Sequence, residues 1–211
     1  MKLKFDLHVH TTRSHDGFNQ LGHLASLSKD RGLDGLAITD HNTPIPHPPA
    51  ELAVIPGIEV STGQGHVIGL GITDPVPRGL PADQTIEEIH RLGGVVIIPH
   101  PYDLFRSSVR PDLLRVRPDA IEVVNSSSFL HSVTWKKARQ FTEKTGLPSV
   151  AGSDSHIPQT LGRAFTIVET DSDDIRSILN AIRDGRVTPV GRPIKASERL
   201  RKLAFHGKLG C

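Results

Sequence analysis

Eight short apolar runs recur along the chain: "LKFDLHVH", "LDGLAITDH", "LAVIPGIEV", "HVIGLGI", "GVVIIPH", "AIEVVN", "SVAGSDSH" and "RAFTIVE". Each is strand-length, and several are apolar throughout, as strands buried on both faces are. Amphipathic stretches at helical spacing fall roughly at 19–31, 84–92, 132–145, 171–184 and 195–205. A repeating order of strand then helix, with no linker long enough to divide the chain, predicts one α/β domain with a largely parallel sheet or barrel. The 36% hydrophobic content is enough for a core in a chain of 211 residues. Residues 73–83, rich in proline, read as an irregular surface loop.

The first run raises a narrower question. In Asp6-Leu7-His8-Val9-His10 polar and apolar residues alternate, so an extended strand puts Asp6, His8 and His10 on one face. Two imidazoles then converge on one point. A divalent metal site and a solvated edge strand with two incidental histidines fit this stretch equally.

The other strand ends extend the pattern. Run after run finishes in a residue able to bind metal: Asp40-His41, Glu59, His100, Asn125, then Asp154 and His156. In parallel barrels the functional groups gather at the C-terminal ends of the strands, which would bring these positions to one rim. With Asp16 and His131 the set is His8, His10, Asp16, His41, Glu59, His100, His131, Asp154 and His156, six imidazoles and three carboxylates. At about four ligands per zinc, with some carboxylates shared and positions left open, nine ligands suit two or three ions. Buried polar residues satisfied only by hydrogen bonds are the bland alternative, and a repeated strand-end placement fits it poorly.

Composition excludes other classes. The formal charge is +2 and the pI about 8.8, so no strong field argues for nucleic acid or membrane. The single Cys211 allows neither an internal disulfide framework nor a thiolate metal site, which fits a reducing, cytoplasmic setting. No signal peptide or membrane span is legible, so a soluble protein is expected.

The segments "DLHVHTT", "LAITDHN", "PGIEVST", "IPHPYD", "EVVNSSSFLHS" and "GSDSH", in this order, resemble the PHP (polymerase and histidinol phosphatase) family of metal-dependent phosphoesterases over roughly residues 3–192. The resemblance implies a distorted (β/α)7 barrel over residues 1–192; residues 193–211, outside it, read by their charge as a basic C-terminal helix or tail packed on the barrel or extending from it. It implies one metal on His8, His10, Glu59 and Asp154, with Glu59 bridging to a second held by His100 and His131. Asp16, His41 and His156 would complete a third site. His15 competes with the preferred Asp16, and Asn125 with His131. The implied chemistry is attack of a metal-bridging hydroxide on phosphorus, with zinc, manganese or iron as the ion and Glu59, Asp154 and His156 as catalytic groups; Asp154 or a neighbouring histidine would shuttle the proton.

Arg13, Arg106 and Arg163 each follow a proposed ligand closely and are candidates for the phosphate, Arg163 foremost. His66 reads more readily as a hydrogen-bonded surface residue than as a cleft residue. His23, His47, His90 and His206 read as ordinary surface or packing residues, and Asp6 and Asp40 as partners that orient imidazoles. The tail "KASERLRKLAFHGKLGC" reads as a helix with Leu200 and Leu203 packed down and its charges, Lys208 among them, in water. A nucleic-acid contact by that tail is the alternative. The expected substrate is a small phosphorylated metabolite, nucleotide or oligonucleotide end. A nuclease on longer nucleic acid, for which 4% aromatic residues offer few stacking platforms, and a non-catalytic polymerase-associated scaffold are the rivals.

Overall fold

Nine strands and five α-helices lie along residues 1–45 and 53–207, the part that the computed structural model describes. They run β1 (Lys2–Val9), α1 (Leu21–Asp30), β2 (Gly35–Ile38), β3 (Ala53–Ser61), β4 (His66–Leu70), α2 (Ala82–Arg91) and β5 (Val95–Ile98). Then come β6 (Ala120–Asn125), α3 (His131–Thr145), β7 (Ser149–Gly152), β8 (Ala164–Glu169), α4 (Ile175–Arg183), β9 (Val187–Gly191) and α5 (Ala196–Gly207). His47, Lys208, Cys211 and the side chain of His206 lie outside the described residues, as does Leu52 at the start of the third predicted strand.

The sheet order is β7-β6-β5-β4-β3-β2-β1-β8-β9. It curls until β1 meets the end of β7: the His10 N–H donates to Ser155 O at 2.9 Å and the Ser155 N–H to His8 O at 3.3 Å. Strands β1 to β7 therefore form a nearly closed barrel, as the resemblance implied. Gly152 permits the closure, because a Cβ there would meet the Cβ of His8 and Oε1 of Glu122.

Two features depart from a regular strand–helix repeat. β4 runs antiparallel to both β3 and β5. Only Thr62 to Gly65 join β3 to β4, far short of the dozen or so residues a parallel crossover needs, so the chain turns back as a hairpin. Gly65, at φ 140°, carries that turn. β9, absent from the predicted strands, pairs antiparallel with β8, which itself runs antiparallel to β1.

Alternation along the strands fills two sides. Val95 and Ile97 of β5 join Ile178 and Ile182 of α4 in one cluster, while Val96 and Ile98 join Ile86 and Ile89 of α2 in another. Apolar residues at successive strand positions are thus all buried, and the polar strand ends are left to face the barrel mouth. No helix among the described residues is long and apolar enough to cross a membrane.

Candidate metal centre

Glu59, near the end of β3 and 1% exposed, lies at the middle of the cluster. Its Oε2 is 3.4 Å from His8 Nε2, 3.2 Å from His10 Nε2 and 3.2 Å from His41 Nδ1. Its Oε1 is 3.0 Å from His66 Nδ1 and 3.1 Å from His100 Nε2. One carboxylate thus faces five imidazoles, divided between its two oxygens. Burial opposes its charge, but His8 and His66 outweigh that and hold the carboxyl well below the usual range. The β2–β3 pairing continues past the strands, with the Glu59 N–H on Asp40 O at 3.1 Å, and this places His41 beside Glu59.

A second convergence joins Asp16, His41 and His156 with His10. His156 Nε2 is 2.9 Å and His41 Nε2 3.7 Å from Asp16 Oδ2. His15, the competitor, is 81% exposed and lies on the outer side of the cluster, its ring 5.6 Å from that of His41. Asp154, after β7, brings Oδ1 to 3.6 Å from His10 Nε2 and 3.3 Å from His156 Nδ1. His100 at φ 33° and Asp154 at φ 53° both adopt the left-handed region, which turns these side chains off their strands toward the cleft.

The donor set fits divalent metal. Burial lowers His100 to about 4 and His156 to about 3, so both are neutral imidazoles near pH 7. Burial opposes protonation of His8 too, yet Glu122 and Glu59 raise it to about 10, a proton that a bound cation would displace. The Nε2 atoms of His8 and His10 share one proton at 3.1 Å, the one a cation would displace, and Oδ1 of Asp16 is buried without a hydrogen bond. Inward lone pairs lacking protein donors are what a cation satisfies.

Around these groups lies a supporting network that sequence reading largely missed. Glu122 in β6 takes His8 Nδ1 at 3.0 Å on one oxygen, and the His100 N–H at 2.7 Å and Asn125 Nδ2 at 2.8 Å on the other. A glutamate inside the apolar run "AIEVVN" was the available signal, since a buried acid needs partners. Asn125, the proposed substitute for His131, donates to Glu122 and Asp154 and so acts as a tie between carboxylates.

Asp6 and Asp40 do not orient rings. Asp40 accepts the backbone N–H and hydroxyl of Thr11, each at 2.6 Å, and Asp6 accepts the N–H groups of Ser153 and Gly162, each at 2.9 Å. Asp6 thereby ties β1 to the segment carrying Asp154. Asp6→Ala should lower the stability of the metal-free chain by about 2 kcal/mol at pH 7, the cost of unpaired Ser153 and Gly162 N–H groups, with the weaker His8 N–H at 3.4 Å, less the relief of a buried charge. Burial raises Asp6 to about 6, so the folded chain holds more protons than the unfolded one between the ordinary carboxyl value of 3.8 and 6. Wild-type stability therefore rises relative to the variant as pH falls through 6, and the deficit should be about 1 kcal/mol larger at pH 5. Denaturant unfolding at the two pH values measures both; a deficit that shrinks at pH 5 would exclude this account.

The cleft over the cluster is a cavity of about 230 Å3, whose wall includes His66, His100, Asp154, Arg106, Phe105 and Lys202. Arg106 is hydrogen-bonded to Asp154 and is the one arginine of the three candidates at the carboxylates. Arg163 instead pairs with Glu198 of α5, because that helix folds back over the barrel and brings a buried acid to it. Arg13 is exposed and donates to Pro44 O at 3.4 Å, on the outside of its loop. His131 opens α3 and leans on Trp135 one turn later, at 5.4 Å between ring centroids. The inward residues of that loop are Ser126 to Ser128, all buried, and His66 stands beside His100 where His131 was expected.

The tail also differs from its expected orientation. Leu200 and Leu203 are each 67% exposed, whereas Arg199 and Lys202 turn toward the barrel. Arg199 donates to Ser127 O and Ser128 O at 3.2 and 2.7 Å, and Lys202 reaches the cleft. Burial, with Arg106 nearby, lowers the Lys202 ammonium to about 7. An acid-rich cleft attracts cations more strongly than a few leucines gain from burial on a polar rim, and the Arg163–Glu198 pair fixes the helix in that rotation.

Comparison with known proteins agrees with this architecture. The chain matches the PHP domain model over residues 6–100 and the PHP-associated model over residues 135–187. It is 31% identical to the uncharacterized protein MJ0417 of Methanocaldococcus jannaschii over 229 aligned positions, covering 99% of this chain and 91% of that protein. The chain belongs to the PHP family. Among solved structures it resembles a two-domain protein of Bacteroides vulgatus containing a predicted PHP-like metal-dependent phosphoesterase, with TM-score 0.71, 19% identity, and coverage of 96% of this chain and 69% of that one. It also resembles Endonuclease Q bound to duplex DNA with an abasic lesion, with TM-score 0.66, 17% identity, and coverage of 87% and 57%. Both likenesses concern the fold.

Proposed function

We propose that the chain is a metal-dependent phosphoesterase that takes two or three divalent ions, zinc, manganese or iron, and hydrolyses a small phosphorylated metabolite, nucleotide or oligonucleotide end. The observation that carries this reading is Glu59, whose two oxygens face separate imidazole sets, His8, His10 and His41 on one side and His66 and His100 on the other. A carboxylate so placed suits a bridge between ions. His8, His10, Glu59 and Asp154 would hold one, Glu59, His66 and His100 a second, and Asp16, His41 and His156 a third. Bound divalent ions supply Lewis acidity and activate water near neutral pH.

The chain's own groups do the remaining work. Arg106, with Lys202 and Arg199 from α5, neutralises the phosphate. Asp154, its Oδ1 3.3 Å from His156 Nδ1, orients the neutral His156 ring so that Nε2 is free to hold a metal. Glu122 holds His8 and the backbone of His100 in place. The scaffold alternative gains nothing from this geometry, because a non-catalytic chain has no use for so many convergent buried donors.

A groove of about 710 Å3 beside the cleft favours a second reading, since Arg106, Arg110, Lys137 and Lys144 line it and a strand's phosphates could follow them. The test is phosphate or nucleotide release by metal-loaded chain from a mononucleotide, a short oligonucleotide and a closed circular single strand. Rapid turnover of the first two supports the small-substrate reading. Rapid cutting of the circle would replace it with the nuclease reading, and inactivity on every phosphoester would leave the scaffold.

A further inference from the structure

Phe105 and Phe129 stand at the mouth of the metal cleft, 66% and 56% exposed, with ring centroids 5.7 Å apart. Exposed phenylalanine is costly, and these two come from different loops, after β5 and after β6. The guanidinium of Arg199 lies over the Phe129 ring, 4.3 Å from its centroid. Two rings and a guanidinium plane thus adjoin a pocket whose floor is Glu59 and Asp154 and whose wall carries Arg106 and Lys202.

A phosphoester bound at that floor must direct the rest of its molecule through this mouth. A flat, weakly polar group fits the ring surfaces, while a flexible polyol leaves them in water. We infer that the mouth is a base-stacking platform and that the substrate is a nucleoside phosphate, free or at an oligonucleotide end, with its base against Phe105 and Phe129. The inference rests on the phosphoesterase reading and names the group that the phosphate carries. Nine aromatic residues in the whole chain, seven Phe with Tyr102 and Trp135, make an exposed pair at this one cleft more pointed. Stacking on an aromatic side chain commonly changes affinity by about tenfold or more per base.

The experiment compares kcat/KM of the metal-loaded full chain for AMP, for the dinucleotide pApA and for ribose 5-phosphate, in wild type, Phe105→Leu and Phe129→Leu. Leucine retains apolar bulk at exposed positions, so folding is not at stake, and Phe105→Leu leaves the Arg199 contact in place. AMP or pApA should exceed ribose 5-phosphate by about tenfold or more, and Phe105→Leu should bring that ratio close to one. The better of the two nucleotides tells a free nucleotide from a chain end. Calorimetry on the metal-free chain provides a readout apart from turnover: AMP should bind more tightly than ribose 5-phosphate, and the difference should vanish in Phe105→Leu. Equal turnover of sugar phosphate and nucleotides, or a preference that survives both substitutions, would overturn the platform while leaving the phosphoesterase reading intact. No hydrolysis of any of the three, with a panel of other phosphoesters also inert, would remove both.

Discussion

Glu59→Gln is expected to lower kcat/KM of the metal-loaded chain by more than about a hundredfold, whereas Asp16→Asn should cost about tenfold. The difference follows from position. Glu59 meets five imidazoles through two oxygens and is 1% exposed; Asp16 meets two through one oxygen, with its side chain 20% exposed. An amide at position 59 keeps the shape but has one acceptor in place of two and no charge to balance two cations. Metal content should fall with activity in Glu59→Gln, by more than one ion per chain, and by at most one ion in Asp16→Asn. Thermal unfolding of both metal-free variants supplies the control, since removing a buried charge need not harm the fold. Equal, small losses in both would mean that Glu59 bridges nothing.

Truncation after Ile194 should cut kcat/KM by about a hundredfold, chiefly through KM. It removes Arg199 and Lys202, two cations at the cleft, and deprives Arg163 of Glu198. Each charge-assisted hydrogen bond to phosphate contributes about 1.5 to 3 kcal/mol, so losing two lies well outside assay error. α5 packs on the finished barrel through ion pairs and backbone acceptors, so the circular dichroism of the shorter chain should lose only the helical signal of α5. Lys202→Met separates the charge from the helix and should reproduce at least about a tenfold part of the loss. Unchanged kinetics after truncation would show that α5 plays no part in binding phosphate.

What was legible in the sequence, and what was not, divides along physical lines. Runs such as "GVVIIPH" announce buried strands by composition, and His8, His10, His41, Glu59, His100, Asp154 and His156 follow from the rule that strand ends share a rim. β4's reversal was readable in principle from the four-residue link Thr62 to Gly65, which is too short to cross over. β9 was not, because "VTPVG" carries a proline and little apolar weight, and only the exposed flank of β8 makes it a strand. His131 and His66 lie near a strand end and a strand start, and local pattern does not say which loop folds inward. Three buried serines settle it for the first, and β4's antiparallel direction for the second, since its start lies at the same rim as the other strands' ends. The rotation of α5 was the least accessible. Its leucines suggested the buried face, and the acid-rich surface that reversed the choice exists only after the barrel closes.

Metal dependence of hydrolysis tests the central claim most directly. Phosphate release from a mononucleotide is measured while chelator-stripped protein is titrated with zinc or manganese. The account predicts no turnover without metal and a rise that continues beyond one equivalent per chain, to saturate at two or three. Full turnover in excess chelator, or saturation at a single equivalent, would contradict it.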